Sequence, residues 1–215
     1  MRAPTLFGAT TLYREDTSLV DDRRIQTLYP PWEYAILQGQ VETAKTTDQT
    51  VARANLRRQV GQVIDMMSGG GRVISGTDSP IANNALSLHM NLRAMVWGGV
   101  TPLQALVSAT SESGRFLGEP IGQVAPGMYA DLAIVGGDPL GDIRAAADVR
   151  RVVAGGVAYT VDELLAPYAD AAMARRSAAR RNRILAAVPE HPSSRAYWWH
   201  DPGYVAEART SCCVD

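Results

Sequence analysis

Between the glycine run Ser68-Gly69-Gly70-Gly71 and Thr77-Asp78-Ser79-Pro80 lies a short apolar segment, Arg72-Val73-Ile74-Ser75-Gly76, with helical patterns on both sides. It reads as a strand that leaves one helix and feeds another. A second strand-like run, Ala3 to Thr10, stands near the start of the chain. Two strands separated by a helical connection imply a parallel pair with a right-handed crossover. Two parallel strands do not make a stable sheet alone, and both edges would be open. The pattern therefore points to part of a larger α/β domain.

The connection itself is uneven. Residues 11 to 47 are irregular and polar, with Tyr29-Pro30-Pro31-Trp32 expected to break any helix and Glu33 to Val41 offering a helical turn or two. From Asp48 the periodicity sharpens. Thr47 or Asp48 is the expected cap of a helix with Leu56, Val60, Val63, Ile64 and Met67 on one face. The glycine run at 69–71 ends it. A second helix is predicted over Ala85 to Trp97, stopped by Gly98-Gly99. Thr101-Pro102-Leu103-Gln104 carries a complete helix start, with Thr as cap, Pro at the first position and Gln closing a capping box. Ser111 to Leu117 is a fourth, short helix.

After Gly118 the grammar changes to strands. Pro126-Gly127 marks a turn, Ala130 to Val135 a strand, and Gly136-Gly137-Asp138-Pro139 another turn. Val149 to Ala154 and Val157 to Thr160 flank Gly155-Gly156, a strong two-residue hairpin signal. An Ala- and Arg-rich helix is expected over Asp162 to Val188, interrupted by Pro167, and a polar, aromatic tail follows Pro189. There is no internal repeat. The expected division is a barrel-type portion over 1–118, a β-sandwich segment over 119–161, and a helix with tail over 162–215.

With 215 residues, a formal net charge of −1 and 46% hydrophobic residues, the chain as a whole has no electrostatic reason to seek nucleic acid or acidic lipid. No apolar run approaches the ~20 residues that cross a bilayer, so membrane insertion is not expected. The stretch MRAPTLFGATTLY lacks the apolar core of a signal peptide. This leaves the compartment open between cytoplasm and periplasm. Arg175, Arg176, Arg180, Arg181 and Arg183 read as a solvated helix face or as an anion-contacting one. Trp198-Trp199 suits either a docking patch or a tail packed on its own domain. Adjacent Cys212 and Cys213 bridge each other only with backbone strain and read as free thiols in a tail.

Asp78 admits two readings. Asp78 or Ser79 before Pro80 is a helix-cap signature that contributes ~1 kcal/mol without chemistry. An acidic residue at the C-terminal end of a barrel strand is instead where a metal is held or a proton moved. Val73-Ile74-Ser75-Gly76-Thr77-Asp78-Ser79, Leu88-His89, Gly98-Gly99-Val100-Thr101-Pro102, Ala105-Leu106 and Ala109-Thr110 form one run of motifs. Leu117-Gly118, Gly122-Gln123-Val124, Pro126-Gly127, Ala130-Asp131-Leu132, Asp138-Pro139-Leu140 and Gly155-Gly156 continue it in order. Together they resemble the end of an amidohydrolase-superfamily chain, where the last barrel strand and its helices return to a small β-sandwich. The resemblance is to the imidazolonepropionase- and prolidase-like members. Pro4-Thr5-Leu6 resembles the preceding barrel strand. Tyr29-Pro30-Pro31-Trp32-Glu33 and the long tail resemble forms fused behind a TolB-type β-propeller.

The resemblance implies an α/β fold made of the last two strands and helices of a (β/α)8 TIM-type barrel plus strands of a composite β-sandwich. It implies a divalent metal, zinc in the full-length family, and hydrolysis of C–N bonds in a small-molecule amide or peptide-like substrate. Asp78 falls on the residue that is metal ligand and proton shuttle, with Ser79 left as the cap. His89 falls on a partner that orients the aspartate, or is a plain helix histidine. Asn83 and Asn84 face substrate, or serve as turn residues. The same family also needs a His-x-His pair, a lysine or acidic bridging residue and two further histidines. Here only His89, His191 and His200 occur, none in such a pair. The expectation is a C-terminal portion with the first six barrel strands absent, inactive by itself. The alternative is a non-catalytic pseudoenzyme, or an interaction module or subunit that complements another chain; the partner expected is a homo-oligomer or the missing N-terminal portion.

Overall fold

The computed structural model describes residues 6, 8–29, 31–78 and 86–168. The polar stretch left as irregular by its sequence is mostly helical. Gly8, at φ 95°, turns the chain into a 3-10 helix, Ala9–Arg14, that buries Ala9, Thr11, Leu12 and Tyr13. Ala9 and Thr10 therefore do not continue a strand. The reason is tertiary: a tight turn puts Leu12 and Tyr13 into the core together, which an extended chain would send to opposite faces. Helix α1, Arg23–Leu28, is capped by Asp22, whose carboxylate accepts the Arg24 N–H at 2.8 Å. Helix α2 is Pro31–Thr46. Pro31 starts this helix instead of breaking it, because a first-turn position has no intrahelical N–H bond to lose. Leu37 and Ala44 of α2 are buried.

Helix α3, Thr50–Ser68, buries Leu56, Val60 and Val63, with Ile64 and Met67 packed partly buried beside them. That is the face expected from its periodicity. Its N-cap is Gln49, while Asp48 accepts the Thr50 N–H at 2.9 Å from one residue earlier. Helix α4, Leu86–Trp97, is buried almost all round, with Leu86, Met90, Leu92, Ala94 and Met95 in the core. Such a helix sits at the centre of a unit. Helices α5, Pro102–Ala109, and α6, Ser111–Leu117, follow. The Thr101–Gln104 capping box is present, and Gly118 ends α6 in the left-handed conformation.

Three strands, β1 (Leu132–Val135), β2 (Val149–Ala154) and β3 (Val157–Thr160), form an antiparallel sheet in the order β1-β2-β3. Leu132 pairs with Val153 and Val153 with Ala158, and the β1–β2 register shifts between Ile134 and Val135. Gly155 and Gly156 both have positive φ, the geometry that matches a two-residue hairpin to strand twist. A 3-10 helix, Ile143–Ala147, crosses from the sheet to the helical part and buries Ile143 and Ala147 in the common core. Helix α7, Val161–Leu165, starts on a Thr160–Glu163 capping box, and Ala166–Tyr168 is a 3-10 turn across Pro167. The remainder of the expected 162–188 helix lies outside the described residues, as do the arginine cluster, Trp198-Trp199, Cys212-Cys213, His191 and His200. Among the described residues no helix is long and apolar enough to cross a membrane.

Val73–Gly76 is extended but takes part in only a single bridge, at Val73. The sheet among the described residues is antiparallel, and the parallel pair expected from strand–helix–strand order is not among its pairings.

Candidate active site

The segment that ends in Asp78 is anchored residue by residue. Val73 and Ile74 are buried apolar side chains. The Ser75 N–H donates to the Ser108 carbonyl at 3.0 Å, and the two hydroxyls lie 3.0 Å apart. Ser108, at the end of α5 and 1% exposed, gives its own hydroxyl proton to the Ala105 carbonyl at 2.7 Å, so Ser75 is the donor between the hydroxyls. Ser113 holds the Ser108 carbonyl from the other side at 2.8 Å. One residue on, the Asn91 side-chain amide donates to the Gly76 carbonyl, and its oxygen accepts the Leu6 N–H at 3.2 Å.

Past these anchors the chain reaches Thr77 and Asp78. Asp78 is exposed and has φ 48°, and among the described residues it is the non-glycine residue with positive φ. Aspartate tolerates this region better than most residues because its short polar side chain bonds locally, yet glycine fits it at lower cost. Ser79, Asn83 and Asn84 lie outside the described residues.

His89 is held neutral. Burial is the first cause, and the nearby Arg93 and Arg24 add to it against a smaller opposing effect from Asp22; together they push its pKa down to about 4. Arg93 is itself buried and pairs with Asp16 at 2.8 Å, also donating to the Ser18 hydroxyl at 3.1 Å. Residues 89 and 91 are about 200° apart around a helix. Asn91 is thus the α4 side chain on the strand exit, while the charged neighbours of His89 belong to α1 and α4.

Sequence reading missed Asn91, Ser75 and Ser108. A signal existed for Asn91: an amide that is a poor helix former sits between Met90 and Leu92 in a largely apolar helix, which calls for a partner.

Among the described residues no group of three or more His, Cys, Asp or Glu is gathered closely enough to hold a metal ion. A catalytic zinc takes about three protein ligands. The described residues therefore do not fit a metal by themselves. A cavity of about 510 Å³ elsewhere is lined by Arg23, Arg24, Arg150 and Arg151 with Asp148 and Asp162. Its ion pairs, Arg23–Asp162 at 2.5 Å and Arg150–Asp148 at 2.7 Å, make it a charged seam between α1 and the sheet.

The model of the amidohydrolase family matches residues 13–159, which span the helical part and the sheet through β3. The chain belongs to the amidohydrolase family. Its mixed α/β structure with a three-stranded antiparallel sheet is consistent with part of an amidohydrolase domain. Members of this family generally use divalent metals. Among solved structures, the chain is similar to the crystal structure of a Xaa-Pro dipeptidase with bound methionine in the active site. The TM-score is 0.44 at 21% identity, over 74% of this chain and 34% of that one. The chain thus spans about a third of the length of that dipeptidase. No curated protein matches.

Proposed function

We propose that this chain carries the C-terminal portion of a metal-dependent amidohydrolase, with the last two strands of a (β/α)8 barrel and part of a β-sandwich. The reaction is hydrolysis of a C–N bond in a cyclic amide or peptide-like small molecule. Asp78 is the carboxylate of that site, placed to take a proton from the attacking water. The observation that carries this reading is the backbone of Asp78: a left-handed aspartate at the end of a buried, doubly anchored segment. A conformation that glycine adopts more cheaply, held by a residue with a carboxylate, marks a site selected for its side chain. The metal expected for the family, zinc above all, needs ligands that the described residues do not supply.

That last point favours a second reading, in which the chain is a complementing subunit or a non-catalytic relative. The two separate in one experiment. The chain is expressed alone and together with a chain bearing His-x-His on an amidohydrolase strand. Zinc content is then measured by mass spectrometry, and hydrolysis with a panel of cyclic amides and dipeptides. Asp78→Asn lowering turnover by about 10²–10⁴-fold supports the hydrolase reading. Turnover unchanged by Asp78→Asn removes Asp78 from the reaction. Activity and zinc present only in the co-expressed pair identify a complementing subunit.

A further inference from the structure

We infer that Asn91 is a positioning residue for Asp78, acting as a clamp that fixes the strand exit from beneath; this rests on the reading of Asp78 as the functional carboxylate. Asn91 is 4% exposed, and both ends of its amide are used. The Leu6 N–H can only donate and the Gly76 carbonyl can only accept, so the two partners allow a single orientation of the amide. The bond to Leu6 joins residues 85 apart in sequence. It ties the segment preceding the 3-10 helix to α4, while the bond to Gly76 ties α4 to the backbone two residues before Asp78. With Ser108 gripping Ser75 from α5, the lead-in to Asp78 is held at consecutive residues from two different helices.

No other side chain of this size does the same. Aspartate would keep the acceptor for Leu6 but turn an oxygen onto the Gly76 carbonyl. Leucine fills the space and leaves a buried N–H and a buried carbonyl without partners. Asn91 touches neither water nor substrate in this role. It acts through the backbone, by keeping Gly76 still so that Thr77 and the left-handed Asp78 start from one place.

The test is nuclear magnetic resonance on the full 215-residue chain, read at Asp78 through its HN–Hα coupling and Cα and Cβ shifts, which report φ. Asn91→Ala is expected to move these signals away from the left-handed values while the rest of the chain stays folded. Met95→Ala, one turn along the same face of α4 and purely apolar, is expected to leave them in place at a similar loss of stability. Asp78 signals unmoved in Asn91→Ala, or moved equally by Met95→Ala, overturn the proposal. If Asn91→Ala does not fold, Asn91→Asp is read instead; Asp78 must shift while the Leu6 amide stays protected from exchange. In the unsubstituted chain the Asn91 side-chain NH2 must exchange at least about tenfold more slowly than exposed asparagines, as a buried bonded donor does; exchange at the exposed rate also overturns it. None of these readings depends on hydrolysis, so they stand whether or not Asp78→Asn changes turnover.

Discussion

The helical part of the molecule and its sheet are held together on different terms. Up to Ala105 the core runs through every long helix, with Leu56, Val60, Leu37 and Ala94 fully out of solvent. Among the described residues beyond Ala105, Ile143 and Ala147 are the buried side chains of that core, with Leu106, Ala109 and Ala146 packed partly buried against it. No residue of β1, β2 or β3 is fully buried, and Ile134 and Val157 are about half exposed at 47% and 53%. Three short strands with so little burial owe their order to what they are attached to. The attachment is the 3-10 helix at Ile143–Ala147, the Arg24 guanidinium on the Ala147 carbonyl at 2.7 Å, and the exposed Arg23–Asp162 pair. Exposed ion pairs contribute little, so the two apolar side chains carry most of the docking. The lesson concerns placement: the candidate site lies in the well-packed part, where a strained aspartate can be held.

The contrast is broken most directly by paired truncations. Leu56→Ala is expected to lose about 2–5 kcal/mol in urea unfolding followed by circular dichroism, as buried leucines do. Val153→Ala in β2, half-buried, should lose under about 1 kcal/mol. Similar losses at the two sites would show that the sheet carries its own core.

Acid sharpens it next. Folded His89 stays neutral down to about pH 4, whereas in the unfolded chain it takes up a proton near its ordinary 6.5. The unfolded state therefore binds more protons in that window, and stability falls as pH drops from 6.5 to about 4. The loss is about 2–3 kcal/mol, discounted for partial exposure. His89→Gln should flatten the curve there and leave the fall below it. That lower fall belongs to Asp22, held below the usual carboxylate range by its Arg24 hydrogen bond, and to Asp16, whose Ser18 and Arg93 contacts outweigh the burial that opposes them. An unchanged curve would mean that His89 is solvated.

The smallest effect is at Asp78. Asp78→Gly is expected to leave stability unchanged or raise it by up to about 1 kcal/mol, because glycine meets no Cβ penalty at φ 48°. A loss greater than that would mean the side chain is structural, and the functional reading of its conformation would fall.

Local signals were read well from the sequence where one element explains them. The α3 face, the Thr101 capping box, the Gly98-Gly99 stop and the Gly155-Gly156 hairpin each depend on neighbours within a few residues. The helix at Pro31–Thr46 was legible only as a turn or two over Glu33 to Val41, because a proline reads as a breaker where Pro31 stands in the first turn; Arg23–Leu28 buries no residue and so carries no apolar period to read. Ala9–Arg14 was missed because its conformation follows from where Tyr13 and Leu12 are buried. At the candidate site, the sequence offers Asp78 as a candidate through its place after an apolar run and the family resemblance, but its left-handed backbone and the partners beneath it were not legible.

The sequence by itself determined the helical periods, the caps, the hairpin and the family, since each is written in residue types at short, fixed spacings. Only the tertiary structure decided that Asn91 and Ser108 grip the approach to Asp78 and that His89 is kept neutral. Those outcomes depend on groups as far apart as Leu6 and Asn91, and on burial, which no short stretch of chain specifies.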